Sequence, residues 1–172
     1  MAHAASEGDR DAFGALVSRH YDRVFALAFR LTGNRAEAED LTQDICVALP
    51  AKLQSWQARA KFTTWLYRVV VNASHDRRRR NATRARASEG WGDYEIARQA
   101  DNKEAAERAE WLRKAMVELK DDLRDTLALT MERDLTQAEA AEILGVSEGT
   151  IAWRMSEVKK VLRQLAESEN AR

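Results

Sequence analysis

The chain has 172 residues, with 28 Lys and Arg balanced by 28 Asp and Glu, 45% apolar residues and 33% charged ones. This length allows one domain or two small ones, and the composition excludes a wholly disordered chain, which would be poorer in apolar groups and further from neutrality. Seven glycines and a single proline, Pro50, are too few for the turns of a sandwich or barrel, so the expected fold class is all-α, as two small helical domains.

From Asp9 to Leu31 the apolar residues Phe13, Leu16, Val17, Tyr21, Val24, Phe25, Ala28 and Leu31 keep the three-and-four spacing of one helix face, and Gly33 closes the helix. Asn34 followed by Glu37 has the spacing of a capping pair, so a second helix is expected from Arg35 toward Pro50, which should end or kink it. Leu41, Ile45, Ala48 and Leu49 form its buried stripe. Glu39, Asp40, Gln43 and Asp44 lie on an adjoining face that offers three carboxylates and no cation, a surface suited to a basic partner. A loop from Gln54 to Ala60 precedes a third helix with Phe62, Trp65, Leu66, Val69 and Ala73 toward the core. Its other face repeats Lys61, Thr64, Arg68, Asn72, His75 and Arg79 at steps of three and four, a single ridge of cationic and hydrogen-bonding groups along which nucleic acid would lie.

Residues 82–104 contain Ser-Glu-Gly-Trp-Gly-Asp and no sustained apolar period, which marks an interdomain linker between a domain at 1–81 and another at 105–172. Beyond it, Ala105–Leu119 and Asp122–Met131 read as helices. Thr136 with Glu139 opens a short helix through Leu144, Gly145 suits a left-handed turn, and Ser147 can cap a further helix from Glu148. That order is the grammar of a helix-turn-helix. Its second helix would enter the major groove with Thr150, Ala152, Trp153, Arg154, Ser156 and Glu157 near bases or phosphates.

The zero net charge conceals segregation. Residues 51–86 carry ten basic groups and one acidic, Asp76, and culminate in Arg77-Arg78-Arg79-Arg80, while residues 126–146 carry one basic group and four acidic. A patch this dense attracts phosphates even on a neutral protein, because its field is felt within a Debye length of ~10 Å.

Cys46 has no partner for an internal disulfide, and His3, His20 and His75 are too scattered for zinc-ligand spacing, so neither a metal nor a cofactor is expected. An apolar helix position makes Cys46 a buried, inert thiol. Without an export signal, or ~18 consecutive uncharged apolar residues, membrane insertion is not expected and a cytoplasmic location is.

The motifs taken in order resemble the extracytoplasmic-function sigma factors of bacterial RNA polymerase. Ala38-Glu39-Asp40-Leu41-Thr42-Gln43-Asp44 and Phe62-Thr63-Thr64-Trp65-Leu66-Tyr67-Arg68-Val69-Val70-Val71-Asn72 look like region 2 of that family, and the block from Thr136 to Ile151 looks like region 4. The resemblance implies a promoter-specificity subunit that performs no covalent chemistry. It implies docking on the clamp helices of core RNA polymerase by Glu39, Asp40, Leu41, Gln43 and Asp44, with a second contact to the polymerase flap. It implies capture of unpaired minus-10 bases by the loop from Ser55 to Lys61 and the following helix, here Trp56, Arg59, Lys61, Thr64, Arg68, Asn72, His75, Arg77 and Arg79. Minus-35 recognition would fall to Ser147, Thr150, Ala152, Trp153, Arg154, Ser156, Glu157 and Lys159, and an anti-sigma factor is an expected partner.

An aromatic ring can return ~1–3 kcal/mol per stacked base against the cost of extruding it, which makes Trp56 a stacking candidate; closing the core beneath the loop is an equal alternative for it. Trp65 belongs to the core side. Cys46 and Pro50 depart from the large aromatics usual in the family, and Ala152, Trp153, Ser156 and Glu157 depart from its usual recognition residues, so no minus-35 sequence can be transferred. Two other classes retain the same helices: a dimeric helix-turn-helix regulator acting without polymerase, and a sigma-like mimic that sequesters a regulatory protein. No nucleophile and base or carboxylate cluster supports an enzyme.

Overall fold

The computed structural model describes residues 1–85 and 103–170, and every regular element among them is a helix. A short α1 (Ala2–Ser6), absent from the sequence reading because five residues carry no period, precedes α2 (Arg10–Thr32). The Asp9 side chain accepts from the Ala12 amide at 2.9 Å to start α2, and Gly33 ends it at φ 69°, a left-handed conformation that costs glycine nothing. Asn34 then caps α3 (Arg35–Leu53) by accepting from the Glu37 amide at 3.1 Å.

Contrary to the expected stop, α3 continues three residues beyond Pro50. A proline near a helix end removes one hydrogen bond, and here Leu49 and Leu53, a turn apart and both buried, hold the final turn against the core. The long α4 (Phe62–Ala85) follows the loop, then α5 (Lys103–Glu118), α6 (Asp121–Thr130), α7 (Gln137–Leu144) and α8 (Glu148–Asn170). Of the expected linker 82–104, residues 82–85 continue α4 and 103–104 open α5; the Ser-Glu-Gly-Trp-Gly-Asp segment lies outside the described residues.

One apolar core spans both halves. Leu27, Leu31, Leu41, Leu66, Tyr67 and Val70 from α2, α3 and α4 join Met116, Leu123, Leu127, Ala128, Ala140 and Ile143 from α5, α6 and α7. A satellite cluster of Ala5, Leu16 and Leu53 seats α1 under the loop. The halves approach closely at Gly33, where an added Cβ would lie 2.5 Å from Val117 Cγ2.

Candidate nucleic-acid interface

Three surfaces carry the chemistry expected from sequence. The first is the acidic face of α3, where Asp40 and Asp44 side chains are 66% and 64% exposed, with Val47 protruding at 82%. Leu41 does not share that surface: at 1% exposure it is core, because its position on the helix points to α2 and α4, and it supports the face from beneath. Nor is the face free of cations. Arg77 reaches across from α4 to Asp40 at 3.0 Å and Asp44 at 3.5 Å, and Arg35 holds Glu39 at 2.8 Å one turn on. The arginine run is thus split by helical rotation, Arg77 toward α3 and Arg78 toward α6.

The second surface is the loop at 54–61 with the ridge of α4. Trp56 packs into the satellite cluster, edge-on to Phe62 with ring centroids 5.6 Å apart, and its buried indole N–H has no partner. Trp65 also lies against Phe62, on the core side. Ala58 is held at φ 54°, a left-handed conformation unusual for a residue with a Cβ, which turns the loop and leaves Arg59 exposed. Along α4 the ridge is brought together as expected, but most of it is met by carboxylates from the second half. Lys61 Nζ is 3.0 Å from Glu139, the Thr64 hydroxyl donates to Glu139 at 3.3 Å, and Arg68 lies 2.6 Å from Glu142. His75 and Arg78 converge on Asp125, each at 2.7 Å, and Arg78 also reaches Asp121 at 3.3 Å. Asn72 is exposed, and Arg79 pairs with Asp76 on its own helix.

The electrostatics follow from these contacts. Burial alone would raise the Asp125 carboxyl, but hydrogen bonds from His75 and Arg78, together with their charges, outweigh it and hold the group below its ordinary value. Glu139 is drawn down to about 2 by the Thr136 amide and by Lys61. Behind the ridge, burial and the neighbouring Glu132 raise the Tyr67 phenol, whose hydroxyl donates to Glu132 at 3.0 Å. Partial burial raises the Cys46 thiol, but the residue is half-buried and not enclosed in the core as its apolar helix position suggested.

The third surface is the helix-turn-helix. Thr136 and Glu139 form a full capping box at the start of α7, Gly145 turns at φ 67°, and the Ser147 hydroxyl oxygen accepts from the Thr150 amide at 3.1 Å to start α8. Ile151 and Val158 face inward, leaving Ala152, Trp153, Ser156 and Lys159 exposed; Trp153 is 59% exposed, unusual for so large an apolar ring. Arg154, in contrast, turns back onto α6, 17% exposed and 3.5 Å from Asp122, while Glu157 pairs with Lys160 on its own helix.

The sequence reading missed the carboxylates Asp125, Glu139 and Glu142 as partners of the ridge, and Glu132 and Asp134 as partners of Arg30 and Arg23 on α2. The acidic balance of residues 126–146 was the available signal, but it does not say what the charges face.

Family comparisons match this order of surfaces. Residues 16–84 match the family model of Sigma-70 region 2, and residues 115–164 that of Sigma-70 region 4. The SigM extracytoplasmic-function sigma factor of Mycobacterium tuberculosis is 33% identical over 165 residues, covering 95% of this chain and 81% of SigM. The chain belongs to the extracytoplasmic-function sigma factors of RNA polymerase. SigW of Bacillus subtilis is similar at 29% identity, over 92% of this chain and 90% of SigW. The solved structure of CnrH in complex with the cytosolic domain of CnrY is similar with a TM-score of 0.69 and 27% identity, over 97% of this chain and 95% of CnrH. As a sigma factor the chain binds core RNA polymerase and promoter DNA and directs initiation of transcription. No helix among the described residues is long and apolar enough to cross a membrane, and no group of three His, Cys, Asp or Glu side chains among them could hold a metal ion.

Proposed function

We propose that the three surfaces divide the work of a cytoplasmic, non-enzymatic initiation factor. Residues 1–81 dock on the polymerase clamp through Glu39, Asp40, Gln43 and Asp44 and grip unpaired minus-10 bases through the loop and α4. Residues 105–172 read duplex minus-35 DNA through α8, and residues 82–104 span the two. The observation that carries this reading is the exposed strip of α8: Ala152, Trp153, Ser156 and Lys159 stand free on the second helix of a capped helix-turn-helix, the position from which such a helix enters a major groove. Asn72, exposed on α4, fits a polar contact to an extruded base. Arg154 suits a phosphate contact only after leaving Asp122.

The exposed α3 face and its protruding Val47 also suit an anti-sigma factor competing with polymerase, and the capture of CnrH with the cytosolic domain of a second protein supports such a partner. Run-off transcription with purified core polymerase over a random promoter library tests the proposal. Asp40→Arg/Asp44→Arg should fail to co-elute with core, and Asn72→Ala should co-elute yet open DNA poorly. Full activity of both variants would overturn the assignment.

A further inference from the structure

A recognition helix meets base edges with its N-terminal residues, and guanine is read most often by the donors of Arg or Lys at O6 and N7. From Glu148 to Ser156, about two and a half turns, α8 holds one cation, Arg154. That side chain is withdrawn onto α6, 17% exposed, 3.5 Å from the Asp122 carboxylate and 3.5 Å from the Thr126 hydroxyl. The groove-entering end therefore presents no guanine reader. What it presents is an aromatic ring among small residues. Gly149, Ala152, Trp153 and Ser156 fall at steps of three, one and three along one face, and all four are exposed. Trp153 stands 59% exposed, while Ile151 and Val158 on the other face are buried in the core. Lys159 and Lys160, both exposed, follow one turn beyond Ser156 and put positive charge beside the strip, where phosphates flank a groove.

The polar groups at this end do not alter the balance. A hydroxyl such as that of Thr150 or Ser156 both donates and accepts, so it separates the bases poorly, and the Thr150 hydroxyl already lies 2.9 Å from that of Ser147. Glu148 and Glu157 can only accept, from the amino groups of cytosine or adenine, whereas the major-groove edge of guanine consists of two acceptors. Glu157 is moreover paired with Lys160 at 2.5 Å.

We propose that α8 selects its minus-35 element through the C5 methyl groups of thymine, packed against Trp153 and Ala152, and not through guanine. The inference rests on the proposed minus-35 role of α8 and names what that role selects. The thymine methyl is the apolar group that base edges offer in the major groove, so an exposed ring and a methyl side chain find a sequence-specific partner there. At Gly149 an added Cβ would meet nothing nearer than Ser147 Oγ at 3.7 Å; the bare backbone leaves room for the helix to sit close to the base edges. Removing one methyl from such a contact weakens binding about fourfold.

The test uses holoenzyme assembled from the full chain and core polymerase. Active templates are recovered from the random promoter library, and one is resynthesised with deoxyuridine for each thymine of its upstream element in turn, which removes the methyl and keeps base pairing. The half-saturating holoenzyme concentration for transcript yield should rise about fourfold at one or more positions. Trp153→Ala should abolish that rise and Trp153→Phe should retain it. At the same position 5-methylcytosine should exceed cytosine by a similar factor. Ala152→Arg, which supplies the missing donors, should shift the recovered elements toward guanine by about tenfold. Deoxyuridine without effect at every position overturns the proposal. So does an equal effect in wild type and Trp153→Ala, which would leave the ring to a protein partner. The recovered sequences separate this inference from the reading beneath it: upstream bases that are preferred but indifferent to the methyl defeat the thymine contact alone. An upstream region with no preferred bases, unmoved by Ala152→Arg, defeats the minus-35 role of α8 as well.

Discussion

Helices α4 and α8 are nearly equal, 24 and 23 residues, and each presents a polar strip beside an apolar face, yet one strip is occupied and the other open. At the start of α4 and along it, Lys61, Arg68, His75 and Arg78 are engaged by carboxylates; on α8, Ala152, Trp153, Ser156 and Lys159 meet solvent. The difference lies in charge density. The strongly cationic strip of α4 attracts any available anion, while the weakly charged strip of α8 attracts none and can stay exposed at little cost. The role proposed for α4, holding a single strand of melted DNA, calls for that density, and an intramolecular cover follows from it in a chain with an acidic second half.

The largest expected effect comes from breaking the covered side at its deepest pair. Asp125→Ala leaves Arg78 partly buried without its carboxylate, and urea denaturation should show a loss of about 3 kcal/mol, near the lower end for a broken buried pair. Next is Gly33→Ala: a left-handed φ with a Cβ costs ~1–2 kcal/mol, and the methyl also presses on Val117, so the melting temperature should fall and the halves should separate more readily in scattering. Thr136→Ala removes the capping box at the junction of the two surfaces; a loss of about 1 kcal/mol is expected, localised by hydrogen exchange to α7 and α8.

Acid sharpens the comparison differently. Asp125 and Glu139 titrate below their ordinary values, so the stability they contribute is complete above about pH 4.5 and is lost as pH falls through the lowered folded values, toward 2 for Glu139. Scattering from pH 6 down to 2.5 should show the halves parting in that acid range, with none of the change above it. The smallest effect belongs to the open side. Trp153→Ala should alter stability by less than ~0.5 kcal/mol, yet change which minus-35 sequences the holoenzyme selects from a library.

Local signals made most of the fold legible. Capping pairs at Asn34/Glu37 and Thr136/Glu139, the closing Gly33 and Gly145, and apolar periodicity located the long helices within a few residues, because each signal acts over one or two turns. Pro50 misled for the same reason: its local cost is real, but Leu53 anchoring in the core outweighs it. The ridge of α4 was legible as a periodic face, whereas the splitting of Arg77 from Arg78 and the retreat of Arg154 onto Asp122 depend on neighbours distant in sequence. Trp56, left open between stacking and packing, rests in the packed position in the free chain.

The most direct test of a covered ridge in a working sigma factor is a spin-label distance between Arg80→Cys on α4 and Ala138→Cys on α7, in a Cys46→Ser background, before and after adding core polymerase and promoter DNA. A narrow distribution in the free chain that shifts to a longer distance in the open complex is the predicted result. An unchanged distance in a holoenzyme that transcribes normally would contradict it.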